Sequence, residues 1–517
     1  MGKSIPKIIK RRKACQAFRL LGYWLFCRTG RTGQTCRRRV AKLHLGDCGI
    51  GKIFCNFAVL KQILPYLADI GMREEKLKYG YREIWRIAYP ILISTLIEQM
   101  IGMTDTAFLG RVDEISLGAS ALAGVYYMVI FMLGLGFSIG VQIIIGRRNG
   151  ERRLLEAGSV FWHGLYFLMV LGVMLTLLSE ALSPRVMRVM VSSEQILDAS
   201  MDYVRWRVLG LTIGFATAML RAFYIGTTQT KALTVNSVVM LVSNAVFNWI
   251  LIFGHCGMPA MGIAGAAIGS TLAEAVSLVA FVIYTRKHCD TEQYGLNRLA
   301  RFRWRTMRGI FGISIWTMIQ NFISIGTWFV FFLFIEHTGE RALAVSNIVR
   351  SISGMVWMIL MAFASTGSTL VSNMIGYGRA DDVITVVRKV LKFSYMVILP
   401  LLIAISLAPE TFISIYTDIS ELVDASVASL WVLCASYLLT IPAFVYFQAV
   451  SGTGNAKSAF ALELSALVAY VAYCAVVIEW WRSDVAVCWT AEAVYGGFMA
   501  VICRLYLWSN RWRGKMI

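Results

Sequence analysis

Acidic side chains interrupt apolar stretches that are long enough to cross a membrane. Asp105 lies near the end of the first stretch, and Glu98 precedes it by seven residues, two helical turns along the same face. A carboxylate inside a bilayer costs several kcal/mol, so it must face a cavity or a partner and is a functional candidate by default. Asp105 can hold a proton or a cation, but not both easily, because both bind to one negative charge. That competition is the chemistry needed to exchange one charged species for another.

Two asparagines and three further glutamates add polar groups to later apolar stretches. Asn244 and Asn248 are four residues apart, so both amides project from one face of a helix. Glu274 and Glu492 share the context Ala-Glu-Ala-Val, each within the last apolar stretch of its half of the chain. A shared bond to a neighbouring helix explains this symmetry as well as a role in transport does. Glu463 has no counterpart in the first half, and the sequence assigns it no role.

The sequence lacks the residue patterns of an enzyme or of a metal site. Its histidines are isolated, no nucleophile stands with a base, and the cysteines before residue 72 lack the paired spacing of a zinc site. We therefore expect no cofactor and no metal centre, apart from a coupling ion. The composition, 57% hydrophobic and 15% charged with a mean hydropathy of +0.64, is typical of a protein that crosses a membrane many times.

Most of the positive charge precedes the apolar stretches. Residues 1–71 supply +13 of the formal net charge of +20, from fifteen Lys and Arg against Asp47 and Asp69. This extension is either a basic cytoplasmic tail that binds anionic lipid or an artefact of gene prediction upstream of a true start at Met72. We favour the second interpretation, because the segment has no periodicity that would fold. The charge gives no reason to expect a nucleic-acid partner.

Twelve apolar stretches are long enough to span a bilayer, which needs about 20 residues in a helix. The predicted spans of the first half are residues 85–109, 116–145, 159–182, 203–225, 233–254 and 262–284. Those of the second half are residues 309–335, 343–375, 390–412, 425–449, 458–479 and 485–508. The fold class expected is an all-α integral membrane protein.

Basic residues predict the orientation, since Lys and Arg accumulate in cytoplasmic loops. Arg147, Arg148, Arg152 and Arg153 follow the second span, and residues 285–308 carry seven Lys and Arg. The alternate loop at 254–262 has none, and the loop at 409–424 is acidic. Both termini are therefore expected on the cytoplasmic side.

The chain repeats itself with an offset of about 226 residues. Gly452-Thr453-Gly454-Asn455-Ala456-Lys457 trails Gly226-Thr227-Thr228-Gln229-Thr230-Lys231 by this distance. Six spans per half is an even number, so both halves enter the membrane from the same side, related by a pseudo-two-fold axis along the membrane normal. The expected organisation is an N-terminal lobe of residues 72–284, an inter-lobe loop of 285–308, a C-terminal lobe of 309–510 and a tail of 511–517.

The first span carries the pattern of a known family. Pro90 is followed eight residues later by a polar residue, Glu98, and the span ends in Gly102-Met103-Thr104-Asp105-Thr106-Ala107-Phe108-Leu109-Gly110. With Gly146, Asn244 to Asn248, Ile252-Phe253-Gly254 and the small residues that open the sixth span, this resembles the multidrug and toxic compound extrusion (MATE) transporters, nearest to the bacterial DinF and NorM branches. The resemblance covers residues 80–510.

The resemblance implies where the chemistry lies. It places Asn244 and Asn248 beside Asp105, so these three residues are the expected site of ion or proton coupling. Some members have an aspartate where this chain has Asn248, which leaves Asp105 as the main acid. Related NorM-type proteins carry an acid in the seventh span where this chain has Phe322, just after Gln320 and Asn321, and the acid that some members have in the tenth span is also missing. Coupling is therefore expected mainly in the N-terminal lobe.

The implied activity is a secondary-active multidrug efflux antiporter that exports organic cations or drugs in exchange for H⁺ or Na⁺. Its expected setting is the lipid bilayer of the bacterial inner membrane, as a monomer. The candidates for the substrate cleft are Glu98, Glu274, Gln320, Asn321 and Glu492. For Glu98 the alternative is a partly solvated carboxylate paired with a polar neighbour.

Two rival functions make different predictions. A lipid-linked saccharide flippase of the same superfamily would have a larger and strongly cationic cleft, and the match at residues 102–110 argues against it. A channel would need rings of pore-lining residues from oligomeric symmetry, whereas two divergent halves in one chain favour rocking of one half against the other.

Overall fold

The computed structural model describes residues 79–514 except 192 and 418. The predicted extension of residues 1–71 lies outside this part of the chain. Within it, the described residues form helices joined by short turns, which confirms the all-α prediction. This is the expected result for long apolar segments, because only a helix satisfies every backbone hydrogen bond of a single segment inside lipid.

Seven helices make up the first half. They are α1 (Tyr81–Leu109), α2 (Glu114–Gly150), α3 (Leu154–Met190), α4 (Glu194–Leu209), α5 (Leu211–Gly226), α6 (Lys231–Phe253) and α7 (Gly262–His288). Asp113 begins α2 by accepting hydrogen bonds from the backbone N–H and the hydroxyl of Ser116, at 2.6 and 2.8 Å. These bonds stabilise the charged carboxylate and lower the pKa of Asp113 below its usual value.

The second half repeats this order with fewer breaks. Its helices are α8 (Trp304–Glu336), α9 (Glu340–Gly376), α10 (Val383–Leu407), α11 (Pro409–Ile413), α12 (Ser420–Gly452), α13 (Ala456–Cys474), α14 (Val485–Cys488) and α15 (Thr490–Trp508). A 3₁₀ turn at Ala380–Asp382 precedes α10, and a π-helical segment at Ala475–Trp480 extends α13. The non-helical link between the halves is residues 289–303, shorter than the predicted loop of 285–308, because α7 continues to His288 and α8 begins at Trp304.

Eleven helical segments of the described part are long and apolar enough to cross a membrane, and a bent pair raises the possible number to twelve. The pair is α4 and α5, which meet at Gly210 with a bend of 49°. The sequence predicted one span at 203–225, whereas the helical segment begins at Glu194 and is broken. A Cβ atom on Gly210 would lie 3.0 Å from both Arg207 Nη1 and Glu274 Oε2, so this position has room only for glycine unless those groups move.

The two halves meet at one end of the membrane domain, the end that carries Arg147 and Arg148 after the second span. We call this contact the seam. Five side-chain hydrogen bonds form it: Thr317 to Gly136, Gln142 to Thr369, Ser372 to Ile143, Asn149 to Asn373 and Asn373 to Gly226, at 2.6–3.2 Å. Within residues 79–514, ring contacts between the halves, such as Trp85 with Phe363, also lie toward this end. The opposite ends of the halves share no hydrogen bond between described residues.

Glycines allow the close approach at the seam. The end of α9 lies so close to the end of α2 that a Cβ on Gly376 would be 2.3 Å from the backbone oxygen of Arg147. A Cβ on Gly150 would be 2.2 Å from the backbone oxygen of Asn373. Both neighbours are backbone atoms, which cannot move aside as a flexible side chain can. The seam is therefore a backbone-to-backbone contact that depends on small residues.

Candidate functional site

Asp105 lies in a closed ring of hydrogen bonds between α1, α6 and α7. Asn248 donates from Nδ2 to Asp105 Oδ1 at 2.5 Å and to Asn244 Oδ1 at 3.3 Å. Asn244 donates to the Ser270 hydroxyl at 3.1 Å, and Ser270 donates to Asp105 Oδ2 at 3.4 Å. Asn244 and Asn248 are fully buried, whereas Asp105 is half-buried. The structure thus brings the three predicted coupling residues together, with Ser270 as a fourth member.

The ring is complete when Asp105 is ionised. Both carboxylate oxygens accept, and both hydrogens of the Asn248 amide are used, one for Asp105 and one for Asn244. A proton on Asp105 would turn one acceptor into a donor that faces another donor. Asn248 or Ser270 must then reorient or lose its bond, which weakens the link from α1 to α6 and α7. The arrangement therefore makes helix contacts depend on the charge of one carboxylate.

The backbone of α7 leaves room for the Asn248 amide. A Cβ on Gly269 would lie 2.3 Å from Asn248 Oδ1 and 3.2 Å from its backbone nitrogen. This oxygen is buried without a hydrogen-bond partner among the described residues. The opposite amide orientation would place the oxygen against the Asp105 carboxylate, so the charge of Asp105 fixes which way the amide points. Gly269 thus allows the amide to occupy its position in the ring.

Glu98 lies elsewhere on α1 and has a cationic partner. Arg221 of α5 forms an ion pair with it, and Ser94 donates to the same oxygen at 3.3 Å. Ser94 also shares a hydrogen bond of 2.6 Å with Ser237 of α6. The Glu98 side chain keeps 39% of its surface exposed, so it can still be reached from outside the protein. Its proposed place at the substrate cleft stays a prediction.

Glu274 is buried and paired with Arg207 at 2.6 Å. Arg207 also packs over the ring of Tyr127, with its guanidinium 4.0 Å from the ring centroid. The pair lies against Gly210, at the bend between α4 and α5. Arg207 lies within electrostatic range of Asp105 as well. Glu274 therefore joins α7 to the broken fourth span, which is the structural role that its symmetry with Glu492 left open.

The remaining cleft candidates lie in the second half. Asn321 donates to the backbone oxygen of Thr317 in its own helix at 2.8 Å. Gln320 is buried and lies near Glu463. Glu492 accepts a hydrogen bond from the Tyr470 hydroxyl at 3.2 Å. Their contact with a substrate stays a prediction.

Sequence reasoning missed Ser270, Arg207 and Arg221. The two arginines carried a usable signal, since both lie in the predicted fourth span, and a cation inside a membrane segment needs an acidic or polar partner. Ser270 carried none, because a single serine in a membrane helix is common and bonds to its own backbone as readily as to another helix.

Comparison with known proteins gives the family. The sequence model of the MatE family matches the chain twice, at residues 90–250 and 317–476. The two matches are offset by 227 residues, close to the repeat found in the sequence. Together they cover more than half of the chain, one match in each half of the fold.

Named relatives and solved structures agree with this match. The chain is 23% identical over 472 residues to the probable multidrug resistance protein NorM of Thermotoga maritima, covering 89% of this chain and 98% of that protein. It is 22% identical over 383 residues to the probable multidrug resistance protein YoeA of Bacillus subtilis, covering 72% and 81%.

Two solved structures share the fold. One is the outward-facing conformation of a multidrug resistance MATE family transporter of the MOP superfamily, with a TM-score of 0.77 and 18% identity over 83% of this chain and 96% of that one. The other is the eukaryotic MATE transporter AtDTX14, with a TM-score of 0.74 and 16% identity over 84% and 96%. The helices, the repeat and the double family match lead to one conclusion: this chain is a multi-pass membrane protein of the MatE family of transporters.

Proposed function

We propose that this protein is a secondary-active exporter of organic cations and drugs, driven by entry of H⁺ or, as the alternative, Na⁺. The observation that carries the proposal is the Asp105 ring. Asp105 is the carboxylate of the described first-half spans that neutral donors hold, whereas Glu98 and Glu274 are paired with arginines. A carboxylate without a tight cationic partner is free to bind and release a positive charge. Multidrug resistance is the activity named for the relatives NorM and YoeA.

In the proposed cycle, the seam keeps the halves closed at the basic end while the other end is open. Under the orientation predicted from the basic loops, the open end faces outward. A proton that reaches Asp105 disturbs the ring, and α1 loses contacts to α6 and α7. The rearranged α1 then displaces the cargo from the space between the halves. Release of the proton on the cytoplasmic side restores the ring for the next cargo.

This proposal places the protein in the bacterial inner membrane as a monomer, with both termini in the cytoplasm. Each half supplies a rigid body, and the space between them binds the cargo. Small-molecule cargo and lipid are the partners expected, and no nucleic acid is required. No cofactor takes part other than the coupling ion.

The test is Asp105→Asn in proteoliposomes loaded with a fluorescent organic cation. We expect export under an imposed pH gradient to be lost, because an amide cannot take up and release the coupling charge. Asp113→Asn is the matched control: it also removes one aspartate charge, but outside the membrane spans, and asparagine still caps α2. Folding is checked by gel filtration and thermal unfolding. Wild-type export by folded Asp105→Asn would refute the assignment, and repeating the assay with a Na⁺ gradient identifies the ion.

One observation favours an anionic cargo, as a lipid-linked saccharide flippase would carry. Arg350 is exposed on α9, 5.9 and 5.6 Å from the ring centroids of Trp328 and Phe332, and it forms no ion pair among the described residues. A lone cation is costly against lipid, so Arg350 favours a position facing the space between the halves. The same vesicles offered an anionic amphiphile distinguish the two cargo classes. Export of the anion in place of the cation would support the flippase.

A further inference from the structure

A second pair of buried carboxylates lies in the half of the protein where the sequence predicted little ion chemistry. Glu463 of α13 is only 3% exposed. Its Oε1 accepts a hydrogen bond of 2.6 Å from the Ser324 hydroxyl of α8, and its Oε2 is buried without a partner among the described residues. Gln320, one turn earlier on α8, is 8% exposed, lies within hydrogen-bonding reach of Glu463, and also has an unpartnered buried oxygen. Two unsatisfied acceptors therefore lie at one place.

Glu492 of α15 is the second carboxylate of this cluster. The Tyr470 hydroxyl of α13 donates to it at 3.2 Å. The Tyr495 hydroxyl is within hydrogen-bonding reach of Glu463 and within electrostatic range of Glu492. Tyr495 thus connects the two acids, and its ring lies 5.7 Å from that of Tyr470.

No described cation neutralises either acid. The titratable groups that face Glu463 are Tyr495 and Cys503, and those that face Glu492 are Tyr437, Tyr470, Cys474 and Tyr495. The basic residues of the same helices are engaged elsewhere: Lys457 lies over the ring of Trp316 and Arg504 over that of Trp508. A buried carboxylate without a cationic partner carries a large desolvation cost when it is ionised.

The internal repeat shows how this difference arose between the halves. At the offset of 226 residues, Leu433 stands where the first half has Arg207, and Phe447 stands where it has Arg221. The arginine that pairs with Glu274 is therefore missing beside Glu492. Glu463 corresponds to Ser237 of α6. The second half has lost two cations and gained one acid at matching positions.

The cluster also occupies the repeat counterpart of the Asp105 site. The ring around Asp105 joins α1, α6 and α7, and these helices correspond in order to α8, α13 and α15. Helix α13 packs against both α8 and α15. Both halves thus concentrate acid and neutral donors where three equivalent helices meet, although the acids stand on different members of the trio.

One proton satisfies the unpaired atoms of this cluster. Protonated at Oε2, Glu463 becomes a donor, and a turn of the Gln320 amide presents its oxygen as the acceptor. Ser324 continues to donate to Oε1, so every atom of the group is then bonded. Release of the proton reverses these changes and leaves a buried charge between α8, α13 and α15. The state of Glu463 therefore alters contacts between helices of the second half.

We propose that Glu463, linked to Glu492 through Tyr495, is a second proton-binding site of the transporter, so that both halves respond to the coupling proton. The proposal deepens the proposed function and rests on it for its role in export. The binding of a proton at Glu463, in contrast, can be measured without transport.

The experiment is infrared difference spectroscopy of the full chain in lipid, titrated with acid and base, which detects the carbonyl band of protonated carboxylic acids. We expect Glu463→Gln to lose one titrating band that Asp105→Asn retains. Glu479→Gln is the control, since Glu479 is an exposed carboxylate near His337 and should contribute no buried band. An unchanged set of titrating bands in Glu463→Gln would overturn the proposal.

Two further measurements keep the proposal testable. If Glu463→Gln does not fold, Ser324→Ala leaves the acid in place, removes its donor, and should change the pH at which the same band disappears; an unmoved band would overturn the assignment. In proteoliposomes, Glu463→Gln should reduce the number of protons moved per cargo molecule, and an unreduced number would exclude its role in coupling. Absence of export in the wild type would refute the proposed function while the infrared result still decides proton binding.

Discussion

Gly269→Ala tests the Asp105 ring without changing any charged or polar group. The added Cβ would lie 2.3 Å from Asn248 Oδ1, so the amide must leave its place. Asn248 then loses its bonds to Asp105 and Asn244. A bond to a charged group is worth about 1.5–3 kcal/mol and a neutral one about 0.5–1.5 kcal/mol. Alanine returns about 1 kcal/mol through helix propensity.

The net loss is about 1–3.5 kcal/mol. If the intact ring is needed in the rate-limiting step, export under a fixed gradient should fall roughly 5- to 400-fold, at 1.36 kcal/mol for each factor of ten. The assay is the initial rate of cargo export from proteoliposomes. Gly118→Ala in α2 is the matched control, because a Cβ there meets no atom within 4 Å.

A double-mutant cycle separates the amide from general helix packing. Asn248→Ala removes the amide, so adding Gly269→Ala to that variant should lower export no further if the clash acts through the amide. Wild-type export by folded Gly269→Ala would refute the reasoning that the ring positions Asp105. A further large loss in the double mutant would show that α6 and α7 were forced apart instead.

Two other changes test the seam and the helix start. Gly376→Ala should push the end of α9 away from the Arg147 backbone and weaken closure at the basic end by about 1–3 kcal/mol; labelling of a cysteine at Thr369 by a membrane-impermeant maleimide should then be faster than in Gly354→Ala, whose Cβ meets no atom, and equal labelling would contradict the seam. Asp113→Ala should destabilise the protein by about 1 kcal/mol through loss of the α2 cap. Because the pKa of Asp113 is lowered in the folded state, this contribution is present at neutral pH and disappears as the pH falls below that pKa. The difference in thermal midpoint between wild type and variant should therefore shrink in acid, and a difference that is constant with pH would exclude the cap.

The sequence predicts the spans because apolar length alone forces helices in a membrane. It also predicts that Asn244 and Asn248 share a face, since helical periodicity is local. It does not place that face beside Asp105, which is 143 residues from Asn248; only the family resemblance supplied that contact. The bend at Gly210 was missed because one glycine in an apolar stretch does not signal a break, and the reason for this one lies in Arg207 and Glu274, which are distant in sequence.

The seam sets an energetic limit on the transport cycle. Five hydrogen bonds at a net value of about 0.5–1.5 kcal/mol each amount to about 2.5–7.5 kcal/mol. One elementary charge crossing 100 mV supplies about 2.3 kcal/mol. A single ion therefore cannot open the basic end unaided at such a potential. The inward-open state must form new contacts at the opposite end that nearly match the seam, so a mutation that strengthens one end should slow turnover as effectively as one that weakens ion binding.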